Sequence, residues 1–225
     1  MPQERQGLVI VIHGLFMNRL IMQPFTDRLH YLGWQTETFA YNSLNIELEE
    51  IYQRLDNLLS NAHDMPVHLV GHSLGGLIIR YYLHQHRPCG VSSVVTLGTP
   101  HQRASSAERL QQLGMGWLIG NSGSHGLLES DLPDHWDVPI PLGTIAGTTA
   151  VGMRPLLFWQ LDQEPSDGLV LVREACLPGK TDHIDVSATH TNMIYTWDVI
   201  HQVDHFMQYQ RFDHEAEDAP AAVNE

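Results

Sequence analysis

Val67-His68-Leu69-Val70-Gly71-His72-Ser73-Leu74-Gly75-Gly76 is the stretch that decides the fold. An apolar run ends in a Gly-x-Ser-x-Gly pattern, Gly71 to Gly75, and a helix-like segment, Leu77-Ile78-Ile79-Arg80-Tyr81-Tyr82-Leu83, follows directly. Strand, sharp turn and helix are the context in which such a serine sits on a nucleophile elbow. The turn strains the serine backbone, so the positions two residues either side must be small, and Gly71 and Gly75 meet that demand. The Ser73 hydroxyl then stands clear of the sheet edge. A chance Gly/Ser turn is the bland alternative, and the flanking strand and helix argue against it.

Outward from the elbow, strand-like and helix-like segments alternate. Leu8 to Ile12 is a continuous β-branched run, as expected of a strand buried on both faces of a parallel sheet, and it ends in His13-Gly14. Leu20 to Leu32 places Ile21, Phe25, Leu29 and Leu32 on one helical face before the stop at Gly33. Trp34 to Tyr41 reads as a second strand. Asn45 is expected to cap a helix buried through Leu48, Ile51, Leu55 and Leu58. Val91 to Leu97 and Leu142 to Ala146 are further strands, and Asp182 to Val186 is the last. A final helix, about 192–212, is expected to bury Met193, Trp197, Ile200, Val203 and Met207. The fold class is therefore α/β: a mostly parallel open sheet of about six strands with helices on both faces.

One domain is expected over 1–212, since 225 residues suit a single sizeable core. Residues 102–140 break the pattern with five glycines among apolar residues, too apolar for a solvated linker and too glycine-rich for one rigid helix. They read as a cap-like insertion beside the site, with Met115, Trp117 and Leu118, together with Phe16, lining an apolar acyl pocket. An ordinary packed excursion is the alternative. Residues 213–225 read as an acidic, disordered tail.

The formal net charge of −14 argues against nucleic acid and anionic membrane surfaces as partners. No run approaches the ~20 apolar residues that span a bilayer, and the polar first seven residues lack a signal-peptide core, so a cytoplasmic protein is expected. Cys89 and Cys176 have no metal spacing and make no disulfide framework. His201 and His205 lie one helical turn apart without the glutamate of a His-Glu-x-x-His site, so they read as surface residues and no metal is expected.

A serine hydroxyl needs an adjacent base, usually an imidazole oriented by a carboxylate. In this topology the chain order is serine, acid, histidine. His190 follows the last strand and is the chosen base; His183, inside a strand-like run, is its rival. Asp167, in the turn Ser166-Asp167-Gly168, is the chosen acid, with Asp162, Glu164 and Asp185 as alternatives. The oxyanion of the tetrahedral intermediate needs backbone donors. Leu74 N–H follows the nucleophile, and Leu15 N–H comes from the loop after the first strand, with Phe16 as the alternative. His13 reads as bracing that loop.

With these pieces in order, the sequence resembles the α/β-hydrolase superfamily, and within it bacterial triacylglycerol-lipase-like and PGAP1-like serine esterases. The residues that carry the likeness are Val11-Ile12-His13-Gly14-Leu15, Gly71 to Gly76, Leu97-Gly98-Thr99-Pro100-His101, Ser166-Asp167-Gly168 and His190. The resemblance implies cleavage of small-molecule carboxylic esters through an acyl-enzyme without a cofactor, and it matches Leu15 and Leu74 to the oxyanion positions. The same triad would serve a thioesterase, amidase or acyltransferase; a non-catalytic binding protein on the same fold is the alternative of another class.

Overall fold

The computed structural model describes residue 5 and residues 7–62, 65–102, 132–151 and 164–215. Six strands form one all-parallel sheet in the order β2-β1-β3-β4-β5-β6. They are β1 (Leu8–Ile12), β2 (Gln35–Phe39), β3 (Val67–His72), β4 (Val91–Leu97), β5 (Leu142–Gly147) and β6 (Asp182–Val186). The helices are α1 (Arg19–Tyr31), α2 (Leu48–Asn61), α3 (Leu74–His86), the short α4 (Val172–Ala175) and α5 (Trp197–Tyr209).

Period-two alternation explains how the sheet is covered on both sides. Val9 and Val11 of β1 join the cluster formed with Met22, Phe25 and Leu29 of α1 and Val199, Val203 and Phe206 of α5. Ile10 and Ile12, one residue out of phase, join Ile51 and Leu55 of α2 and Leu77 and Ile78 of α3 on the other face. Val9, Ile10, Val11 and Ile12 are all fully buried. Complete burial of such a side chain contributes roughly 1.5–3 kcal/mol, so β1 anchors both layers.

The strand order reverses between β1 and β3, because the chain leaves β1 for the edge strand β2 and returns to the other side of β1. Helices depart to opposite faces there, which opens a crevice beyond the carboxyl ends of the two strands. His13 to Phe16 and Ser73 lie at that crevice, directly after β1 and β3.

Several local expectations differ from the structure. Asn45 does not cap α2; Glu47 holds the cap position without a capping side-chain bond, while Asn45 N–H donates to Asn42 Oδ1 at 3.2 Å. The expected C-terminal helix is divided into a 3-10 turn, Asn192–Ile194, and α5. Trp197 then starts α5 and is substantially exposed, with Arg28 over its ring at 5.2 Å, instead of being buried. The apolar run Leu169 to Val172 closes a tight loop through a bridge between Ser166 and Leu171 before entering α4.

Most of the expected cap, residues 103–131, lies outside the described residues, and Met115, Trp117 and Leu118 with it. Of the expected tail, residues 216–225 lie outside them too. Asp213 is held by a reciprocal pair of 2.8 Å hydrogen bonds with the Gln202 side chain.

Candidate active site

Ser73 occupies the sharp turn between β3 and α3 at φ 53° and ψ −121°, a conformation that ordinary residues rarely adopt. Such strain costs on the order of 1–3 kcal/mol and persists only where the surroundings enforce it. Here they do. Ser73 N–H donates to Leu97 O at 2.8 Å, and Ser73 O accepts from Gly76 N–H at 3.0 Å and from Thr99 Oγ1–H at 2.9 Å. β4 and the loop after it therefore clamp the elbow from the side. The serine is 8% exposed at the crevice.

Two other expected residues meet at hydrogen-bond distance. His190 Nδ1 lies 2.6 Å from Asp167 Oδ2. A carboxylate only accepts, so Nδ1 carries a proton, and in the neutral ring Nε2 is the bare nitrogen. Asp167 follows β5 and His190 follows β6, so the loops after the last two strands bring these two side chains together. The carboxylate is 1% exposed. Its Oδ1 accepts from Leu169 N–H at 2.9 Å and Val170 N–H at 2.7 Å, while the His190 N–H donates to Asp167 main-chain O at 2.8 Å. Gly98 at the end of β4 lies against the pair: a Cβ there would stand 2.8 Å from Asp167 Oδ2.

The rival acids and base are engaged elsewhere. Glu164 pairs with Arg173 at 2.6 Å on the surface. Asp185 lies 3.0 Å from His183 Nε2, whose Nδ1 is 2.6 Å from Thr144 Oγ1 inside the sheet. Asp162 lies outside the described residues.

The loop after β1 is fixed by His13. Its Nδ1–H donates to Gly14 O at 2.9 Å, its Nε2 accepts from Tyr41 N–H at 3.3 Å, and its ring stacks on Tyr41 at 4.4 Å. The bond accepted at Nε2 needs the neutral ring, and burial lowers its pKa below the usual histidine value. Phe16 N–H is taken by Ser43 Oγ at 3.2 Å. Among the described residues no acceptor is found for Leu15 N–H. Leu74 is the first residue of α3, so its N–H has no acceptor within the helix and the positive end of the helix dipole lies there. Phe16 presents its ring to solvent at 58% exposure, in a left-handed turn at φ 58°.

His72, Tyr41 and Ser43 also contribute to the site, and local sequence carries little sign of it. The first was legible only as the variable position of the elbow pattern, and the other two lie in a loop whose partner segment is distant in sequence.

Buried imidazoles also give the protein an acid-sensitive core. Burial lowers His68 to about 4 and His101 to about 3; His72 is lowered to about 3 by burial and then by its neighbour His190. In the unfolded chain such groups titrate near ~6.5. The unfolded state thus binds more protons below that value, so this stability is fully present above pH ~6.5 and is lost as pH falls towards the folded values. The loss is on the order of 2 kcal/mol per histidine at pH ~5. With three such histidines we expect the Tm, followed by circular dichroism, to fall by about 12–24 °C from pH ~7 to ~5. A flat Tm would contradict it.

Comparisons with known proteins agree on the fold. A family model described as the alpha/beta hydrolase fold matches residues 27–121. A Bacillus licheniformis lipase, BlEst2 in mature form, is similar at 18% identity, with 93% of this chain and 94% of that chain covered and a TM-score of 0.68. A pyrethroid hydrolase from Sphingobium faniae is similar at 15% identity, covering 90% and 98%, with a TM-score of 0.61. The Vlm2 thioesterase domain is similar at 15% identity, covering 95% and 97%, with a TM-score of 0.56. At these identities the likeness is one of architecture.

Proposed function

We propose that this α/β-hydrolase-fold protein is a serine hydrolase that cleaves carboxylic esters through a covalent acyl-enzyme. Ser73 is the nucleophile, His190 the base and Asp167 the acid. The observations that support the reading are the 2.6 Å Asp167–His190 pair, formed by the loops after the last two strands, and the positive φ of Ser73.

In this mechanism His190 Nε2 takes the proton from Ser73 Oγ as Oγ bonds to the acyl carbon. The carbonyl π pair moves onto oxygen, and the N–H groups of Leu15 and Leu74 bind that oxyanion. Asp167 keeps the imidazole in the required tautomer and stabilises the imidazolium. Collapse breaks the carbon–oxygen bond to the alcohol, which leaves with the proton from His190. Water then attacks the acyl-enzyme by the same route and releases the acid and Ser73. Backbone and side-chain groups supply every step, with no part for a cofactor or a metal.

Phe16, with Met115, Trp117 and Leu118, is assigned to contact the acyl chain, so an apolar chain is the expected substrate feature. A cytoplasmic setting is part of this reading. It sits well with the unpaired thiols of Cys89 and Cys176. Among the described residues no helix is long and apolar enough to cross a membrane.

A p-nitrophenyl ester series tests the substrate class. Turnover is expected somewhere between acetate and octanoate, with kcat/KM rising as the chain lengthens by up to tenfold or so for each well-buried methylene. No turnover across the whole series would move the assignment to another acyl donor, a thioester or amide.

A further inference from the structure

His190 is held at three points. Its main-chain N–H donates to Asp167 O at 2.8 Å and its Nδ1–H donates to Asp167 Oδ2 at 2.6 Å. The third bond runs elsewhere: His190 O lies 2.8 Å from His72 Nε2. A carbonyl only accepts, so His72 Nε2 carries the proton. The first two bonds join the base to the acid. The third joins it to the elbow, because His72 is covalently bonded to Ser73.

His72 is the last residue of β3 and is 1% exposed. Its other ring nitrogen, Nδ1, is buried and has no hydrogen-bond partner among the described residues. A buried acceptor left without a donor is destabilising, and an apolar side chain of similar size would fill the space without it. Packing therefore does not account for an imidazole here. The Nε2–H bond does.

We infer that His72 is a positioning residue for acyl transfer, its Nε2–H bond to the His190 carbonyl fixing the base loop in register with the nucleophile elbow. The inference rests on the reading of Ser73 and His190 as nucleophile and base. The path from Ser73 through one peptide link, the His72 ring and a single hydrogen bond is short and stiff, which is what a proton transfer between the two residues requires.

The ring also has to stay uncharged. The His72 and His190 rings lie 4.9 Å apart, tilted by 51°. A cation at His72 would oppose formation of the His190 imidazolium. The titratable groups that act on His72 are His190, Asp167 and His13, and burial with the His190 contribution holds it at about 3. It remains a neutral donor through the range in which a catalytic imidazole works.

Three variants separate this role from simple packing. His72→Gln keeps an N–H at the reach of Nε2, His72→Asn stops short of it, and His72→Leu has no donor. The Leu and Asn variants are expected to lose about 10- to 100-fold in kcat with KM little changed, and Gln is expected to recover most of that loss. Wild-type kcat in His72→Leu, or an equal fall in Leu and Gln, would overturn the inference. Nitrogen-15 NMR of the wild-type imidazoles needs no variant to fold. It should find His72 protonated at Nε2 and bare at Nδ1 from pH ~8 to ~5; the opposite tautomer, or a ring that titrates in that range, would also overturn it. Wild-type protein that a fluorophosphonate fails to label would instead remove the underlying assignment of Ser73, so the two failures are distinct.

Discussion

Asp167→Asn is expected to lower kcat by about 10³- to 10⁴-fold while leaving Tm and KM close to the wild type. The geometry separates the two jobs of this side chain. Oδ1 accepts from Leu169 and Val170 N–H and shapes the turn, and an asparagine oxygen can do the same. Oδ2 accepts from His190 Nδ1–H at 2.6 Å, and the asparagine amide would put a donor in its place. The ring must then accept at Nδ1, which moves its own proton to Nε2, where the serine proton has to go. Binding survives and proton abstraction does not. Steady-state kinetics beside a thermal melt checks this. Full turnover in Asp167→Asn, with loss in Asp162→Asn, would transfer the acid role to Asp162.

Gly75→Ala is expected to act on the fold itself. A Cβ on Gly75 would lie 2.2 Å from Ile12 O and 2.8 Å from His13 O, both main-chain atoms that no rotamer change moves away. The start of α3 packs directly on the end of β1, so one methyl group must part the helix from the strand. Overpacking of this kind costs about 3 kcal/mol or more. It would also displace Leu74 N–H and the loop carrying Leu15 N–H together. The expected results are a Tm lower by ~10 °C or an insoluble product, with activity lost in whatever folds. A Gly75→Ala protein with native Tm and kcat would contradict the close contact.

What the sequence made legible follows from local physics. The β-branched runs at 8–12 and 91–97 are buried by a parallel sheet on both sides, and no other element takes that composition so readily. The elbow is local too, since a strained serine needs small neighbours in the same ten residues. Asp167 and His190 could be chosen because this topology sets their order along the chain, and the structure brings them within one hydrogen bond. Legibility ended where a residue's partner is remote. Asn45 has the chemistry of a helix cap, yet its backbone follows a turn organised by Asn42, and α2 begins three residues later. Trp197 fits a buried helical stripe by spacing, but the break at Tyr195 and Thr196 turns it outward under Arg28. His72 sits in the motif itself, and nothing in a local pattern says that its ring reaches a carbonyl 118 residues away.

The central claim is that Ser73 Oγ is a nucleophile activated by His190. Labelling with a fluorescent fluorophosphonate tests it most directly, since the reagent bonds to a serine only where a base has raised its reactivity. The wild-type protein is expected to take up label at one site, and Ser73→Ala is expected to take up none. Wild-type protein that stays unlabelled, or a Ser73→Ala variant labelled as fully as the wild type, would contradict the account.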